Sequence, residues 1–149
     1  MKFMHLFSGL LVAGLLASCS SVPYAQRQSQ RQAQYLAAAG APVRSFRFFS
    51  PLYSWEALND QQLVVYARPN QAWLLDVDGC PNLTFANAIG LTSSFNEVSV
   101  RFDRVLTGRN NYPCTITQIR PVDVSHLRAA QQAQRKIDEK PREVPAGGQ

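Results

Sequence analysis

Histidine is nearly missing from this chain: two in 149 residues, His5 and His126. Cysteine is scarce as well, with three, and no two form a Cys-x-x-Cys pair. A His/Cys metal centre needs more ligands than that, and a thioredoxin-type redox pair needs that spacing. Asp123, Ser125 and His126 contain the residue types of a hydrolytic triad. On one helix their side chains diverge, so His126 reads as a helix-surface residue. Asp76-Val77-Asp78-Gly79 begins like a calcium loop but lacks the further acids and the distal Glu. Gly90-Leu-Thr-Ser-Ser94 lacks the spacing of a phosphate loop. Beyond the first residues no apolar run approaches the roughly 20 needed to span a bilayer. The expectation is a non-enzymatic protein with no catalytic residues, no metal and no cofactor.

What is present begins with an address. One early charge, Lys2, precedes an apolar segment from Phe3 to Ala17. Basic start, short apolar core and small residues at the cut make a secretory leader. Leu16-Ala17-Ser18-Cys19 resembles the bacterial lipobox. That resemblance implies acylation of the Cys19 sulfur, cleavage after Ser18 and acylation of the new amino terminus. Several chains hold a protein at a membrane stably where one does so reversibly. Ser20, rather than Asp, follows the cysteine. This resembles the default for export to the outer membrane, with the domain facing the periplasm.

Assigning Cys19 to lipid leaves Cys80 and Cys114, which an oxidising compartment would bridge. Closing that loop contributes roughly 3–4 kcal/mol by chain entropy. Loss of Lys2 with the leader lowers the formal charge from +5 to +4. The remaining bases are almost all arginine, which pairs with carboxylates and phosphates through its planar fork. The expected partners are therefore the membrane, through the Cys19 anchor, and an envelope protein or anionic envelope polymer. The arginines are scattered rather than clustered, as on an ordinary solvated surface, and the compartment argues against nucleic acid.

Residues 1–18 read as the leader and 19–43 as a Gln/Ala/Arg-rich tether in which residues 25–39 have weak helical character. A disulfide-stapled β domain is expected over 44–122. Phe46 and Phe48 mark one strand. Residues 54–62, with Trp55, read as a turn or a single helical turn. Residues 62–69 and 72–77 form a hairpin across Pro69-Asn70, residues 84–90 a short helix, and 98–106 one strand with Val98, Val100 and Phe102 inward. Cys114–Val122 is the last strand, stopped by Pro121. A helix over 123–140 follows, capped by Asp123, and then a disordered tail over 141–149. Phe46, Phe48, Trp55, Tyr66, Trp73, Phe85 and Phe102 are assigned to the core, with Trp55 also placed beside Thr92, Ser93 and Ser94 as a possible ligand groove. The fold class is α+β, mainly β: a small antiparallel sheet or half-barrel with a C-terminal helix and one disulfide.

From Trp55 to Leu127 the chain carries W-x-x-L-x-D-x-x-L-V-V, R-P-N-x-A-W-L-L, a cysteine, I-G-L-T-S-S, F-D-x-V-L, a second cysteine and I-R-P-V-D. These resemble a family of small proteobacterial lipoproteins whose domain has no assigned function. The resemblance implies one extracytoplasmic domain with paired cysteines and transfers no catalytic residue. The expected function is a membrane-anchored periplasmic binding or accessory module of unknown ligand. The alternatives are a lysozyme-inhibitor-like enzyme inhibitor, against which the basic charge argues, and a small-ligand or lipid carrier, which requires an apolar cavity.

Overall fold

Val64 and Val65 are adjacent, and both are fully buried. A strand buried on both faces must sit between two layers, and the architecture follows from that. The structure is a computed structural model that describes residues 22–49, 51–108 and 113–139. The leader, Cys19 and the tail from 141 lie outside the described residues.

The elements run α1 (Tyr24–Ala38), β1 (Ser45–Arg47), β2 (Ser54–Asn59), β3 (Gln62–Arg68), β4 (Gln71–Asp78), a 3-10 turn (Leu83–Phe85), β5 (Gly90–Leu91), β6 (Glu97–Ser99), β7 (Arg104–Leu106), β8 (Cys114–Val122) and α2 (Val124–Asp138). The main sheet is antiparallel, in the order β2-β3-β4-β8-β7-β5, and curls into a half-barrel; β1 and β6 pair separately. One face of the sheet packs Leu63, Val65, Leu75, Val77, Ile116 and Ile119 against Phe46, Val98 and the disulfide. The other packs Val64, Leu74, Ala72 and Val122 against Tyr35 and Ala38 of α1 and Val124 and Leu127 of α2. The expected fold class stands: mostly β, a half-barrel, a C-terminal helix and one bridge, Cys80–Cys114.

Several local expectations change. Residues 54–59 are a strand, not a turn: Trp55 pairs with Val65 and Ala57 with Leu63. Residues 84–90 are not a helix; only Leu83–Phe85 makes a single 3-10 turn. The expected strand over 98–106 breaks in two. Arg101 adopts φ 65° and its N–H donates to the Ile116 carbonyl (2.7 Å). The buried Asp103 carboxylate accepts from Ser99 N (2.7 Å), folding the chain back on itself. The break turns Phe102 out to solvent at 77% exposure, and Phe85 is 79% exposed, so neither belongs to the core. Pro121 does not stop β8, which runs through to Val122. Its carbonyl accepts from Gly40 N (2.8 Å), and its nitrogen points the same way, so the β4–β8 ladder loses no bond.

The segment read as a tether differs most. Tyr24–Ala38 is a 15-residue helix seated on the sheet through Tyr35, which is 2% exposed. One aromatic ring supplies the burial that a stripe of leucines would otherwise give. The Tyr35 hydroxyl lies 2.7 Å from Glu56 Oε2 and 2.9 Å from the Tyr66 hydroxyl, and Arg31 Nη1 lies 2.6 Å from Glu56 Oε1. Burial first, then these two partners, push the Tyr35 phenol far above its ordinary range, so it stays protonated and fastens α1 to β2 and β3.

Candidate functional site

The ladder registers define two ends of the molecule. At one, Asn59 meets Gln62 and Asp78 meets Thr115. At the other, Ser54 meets Tyr66, Arg68 meets Gln71, and Ala72 meets Val122. Gln32 of α1 bonds to Gln62 (2.7 Å), whereas Ala39 bridges Val122. So α1 starts at the first end, which we call near because the described chain begins there, and finishes at the far end.

The residues singled out from sequence are dispersed over this frame. Cys80 and Cys114 join at the near end with Cα atoms 5.1 Å apart, both buried. Trp55 lies half-buried on β2, at one edge of the sheet, and residues 92–94 follow β5 at the other. The Thr92 hydroxyl donates to Asp103 Oδ1 (2.8 Å) and accepts from Arg104 N (2.8 Å). Ser93 is exposed, and Ser94 bridges Glu97. None of these four lines the clefts described below. Asp123 acts as a helix cap: its carboxylate accepts from His126 N (2.9 Å) and Ser125 Oγ (2.6 Å), which hold it below the usual carboxylate range. Asp76 accepts from Gln62 (2.6 Å) and pairs with Arg120 (3.2 Å), while Asp78 accepts from Gly79 N (2.8 Å). Among the described residues no group of three His, Cys, Asp or Glu could hold a metal ion.

Three surface features were not read from the sequence. At the far end, Arg47, Phe48, Phe49, Ala67, Arg68 and Gln71 line a cleft of about 150 Å³. Beside it, Ser94 and Glu97 exchange two backbone bonds of 3.0 Å each, closing a two-residue hairpin. Its tip residues, Phe95 (φ 53°) and Asn96 (φ 60°), are both left-handed, and Asn96 O accepts from Phe48 N (3.0 Å). Asn suits that backbone, but a Phe there costs about 1 kcal/mol. Phe95 is 99% exposed, Phe49 75% and Tyr53 64%. Glu97 stabilises the hairpin through Ser45 Oγ first and then Arg47 (2.9 Å), which together hold its carboxyl below the ordinary range.

The second feature is a near-end cleft of about 710 Å³ between the start of α1 and the 3-10 turn, with Tyr24, Gln28, Leu58 and Phe85 on its walls. The third lies between the helices. α1 and α2 run antiparallel, because Ala38 O accepts from Asp123 N (2.8 Å) while Arg27 and Arg135 share a cleft of about 260 Å³. The far half of the helix seam is apolar, with Ala38, Val124 and Leu127. The near half is arginine and glutamine.

A family model described as "Family of unknown function (DUF6491)" matches residues 2–138, as far as the last residue of α2. The chain belongs to that family. No curated protein and no solved structure matches it.

Proposed function

We propose that this protein is a lipid-anchored envelope lipoprotein, held on the outer membrane through Cys19 and facing the periplasm. It acts there as a non-enzymatic binding or accessory module. The leader and lipobox support the anchor, and the family match extends across that leader. The observation that carries the binding role is the far-end hairpin. A bulky apolar side chain is held fully exposed, at a cost in backbone strain, beside two further exposed aromatics and an arginine-lined cleft. Exposed aromatics clustered at a cleft are what a protein partner anchors on.

The anchor is tested by growing cells on labelled palmitate. Wild type should take up the label at Cys19 and Cys19→Ser should not. The binding role is tested with a photo-crosslinker in place of Phe95, compared with one at Gln132, an exposed position on α2. A discrete adduct only at Phe95 is expected, and equal smears at both positions would sink the reading. Phe95→Gly should relieve the strain, raise stability by about 1 kcal/mol, and weaken the partner's capture. A carrier role is the second reading, favoured by the size and apolar walls of the near-end cleft.

A further inference from the structure

We infer that the near half of the α1–α2 seam is a binding site for a phosphate group, supplied by an anionic lipid headgroup of the membrane that holds the protein. The source of the phosphate rests on the proposed anchor; the site itself does not.

A seam between two packed helices is ordinarily apolar. Here Arg27 and Arg31 of α1 and Arg135 of α2 line one cleft, together with Gln34, Gln131 and Gln134. No side-chain hydrogen bond among the described residues joins the helices along this stretch. Carboxylates lie close by as well, among them Glu139, the C-terminal cap of α2. Glu56 is committed to Arg31 and Tyr35, and Asp138 accepts from Gln134 (3.0 Å). Arg27 and Arg135 have no side-chain hydrogen bond or ion pair among the described residues; the last turn of α2 offsets part of the Arg135 charge, and Arg27 has no such answer. Guanidinium forks grip phosphate oxygens in pairs, and carboxamides supply further donors. The end of α1 that opens onto this region has Pro23 as its cap, no side-chain capping bond and no acid in its first turn. No side chain of α1 therefore answers the partial positive charge of its own start.

Chain length brings lipid within reach. Five residue steps separate Cys19 from Tyr24, at most about 18 Å of extended chain. Arg27 is one helical turn further, about 5 Å. A protein acylated at Cys19 thus keeps this cleft within roughly 25 Å of its acyl chains. A 25-residue spacer would have left it free to wander.

The test uses the full lipidated protein in micelles of a neutral detergent. Melting is followed while phosphatidylglycerol is mixed into the micelles, with a neutral diacylglycerol as control and inorganic pyrophosphate as a soluble probe. Phosphatidylglycerol should raise Tm by about 5 °C at ten times its dissociation constant, and high salt should remove the rise. Arg27→Gln with Arg135→Gln should abolish the rise with the unliganded Tm unchanged, whereas Arg44→Gln should keep it. If the Gln pair unfolds the protein, Arg27→Lys with Arg135→Lys retains the charge and should weaken the rise by losing the fork. A rise with pyrophosphate but not with the lipid overturns the lipid source. No rise with either, or one that survives the double substitution, overturns the site. Palmitate labelling reads the anchor separately, so the two readings fail by different results.

Discussion

Leu74 and Leu75 are neighbours in β4, and both are fully buried, yet they face different interiors. Leu75 looks into a core closed by β1, β6, the 3-10 turn and a covalent bridge. Leu74 looks into one closed by two helices held only by non-covalent contacts. On the disulfide side the cover is short and irregular, made of three-residue strands and turns with little ladder of their own. A cross-link suits such a cover, because it limits the freedom the chain would regain on unfolding. On the helix side each cover is a regular 15-residue element that satisfies its own backbone. It needs only a few attachment points: Tyr35 and Ala38 in α1, Val124 and Leu127 in α2, and the bond from Arg128 to the Pro69 carbonyl (2.5 Å). The pairing teaches that irregular cover is fixed by covalent constraint and regular cover by anchor residues. The helix side is therefore the one that can open while the sheet stays folded.

The sharpest way to break this contrast is to remove the bridge. Cys80→Ser with Cys114→Ser should cost about 4 kcal/mol in denaturant unfolding. Hydrogen exchange should quicken first in β1, β6 and the 3-10 turn, and uniform quickening would show that the two covers are not separable. Next in size is Tyr35→Ala, at about 3 kcal/mol, which should speed exchange in α1 while β1 and β6 stay protected. Tyr35→Phe, which keeps the ring and strands the partners of the hydroxyl, should cost about 1 kcal/mol. The smallest effect is expected at the caps. Asp123→Ala should lower Tm slightly at neutral pH by leaving the His126 N–H without its cap. Asp123 on the helix side and Glu97 on the other are both held below their ordinary pKa. Their contribution is thus complete above the ordinary carboxylate range and is lost as pH falls through the folded values, which lie lower. Wild type should lose Tm between pH 5 and 3, and Asp123→Ala should lose less over the same range.

The sequence was legible where local chemistry and burial agreed. Pro69-Asn70 between two β-branched, apolar runs marked the β3–β4 hairpin, Cys114–Val122 marked β8, and Asp123 marked the start of α2. The bridge followed from counting cysteines. It was opaque where a tertiary contact overruled local preference. Ser54–Asn59 has the composition of a turn, with Glu, Ala and Asn, and becomes a strand because β3 offers it an edge. Val98 to Leu106 alternates well, but Asp103 accepting from Ser99 and Thr92 breaks the alternation in two. The docking of α1 hangs on one tyrosine, whose partners Glu56 and Tyr66 lie 21 and 31 residues away. The clefts are harder still. Arg27 and Arg135 are 108 positions apart in the sequence, and only the antiparallel helix pair brings them together.

Because α1 opens and α2 closes at the same end of the sheet, the chain enters and leaves the described domain on one side. The opposite end holds internal turns, Pro69-Asn70, Phe48-Phe49 and Phe95-Asn96, beside the end of α1 and the start of α2. A fluorescent protein or affinity handle appended after Asp138 would thus sit beside the entry point and leave the hairpin tip clear. An insertion at Asn70 would stand directly in front of whatever docks there.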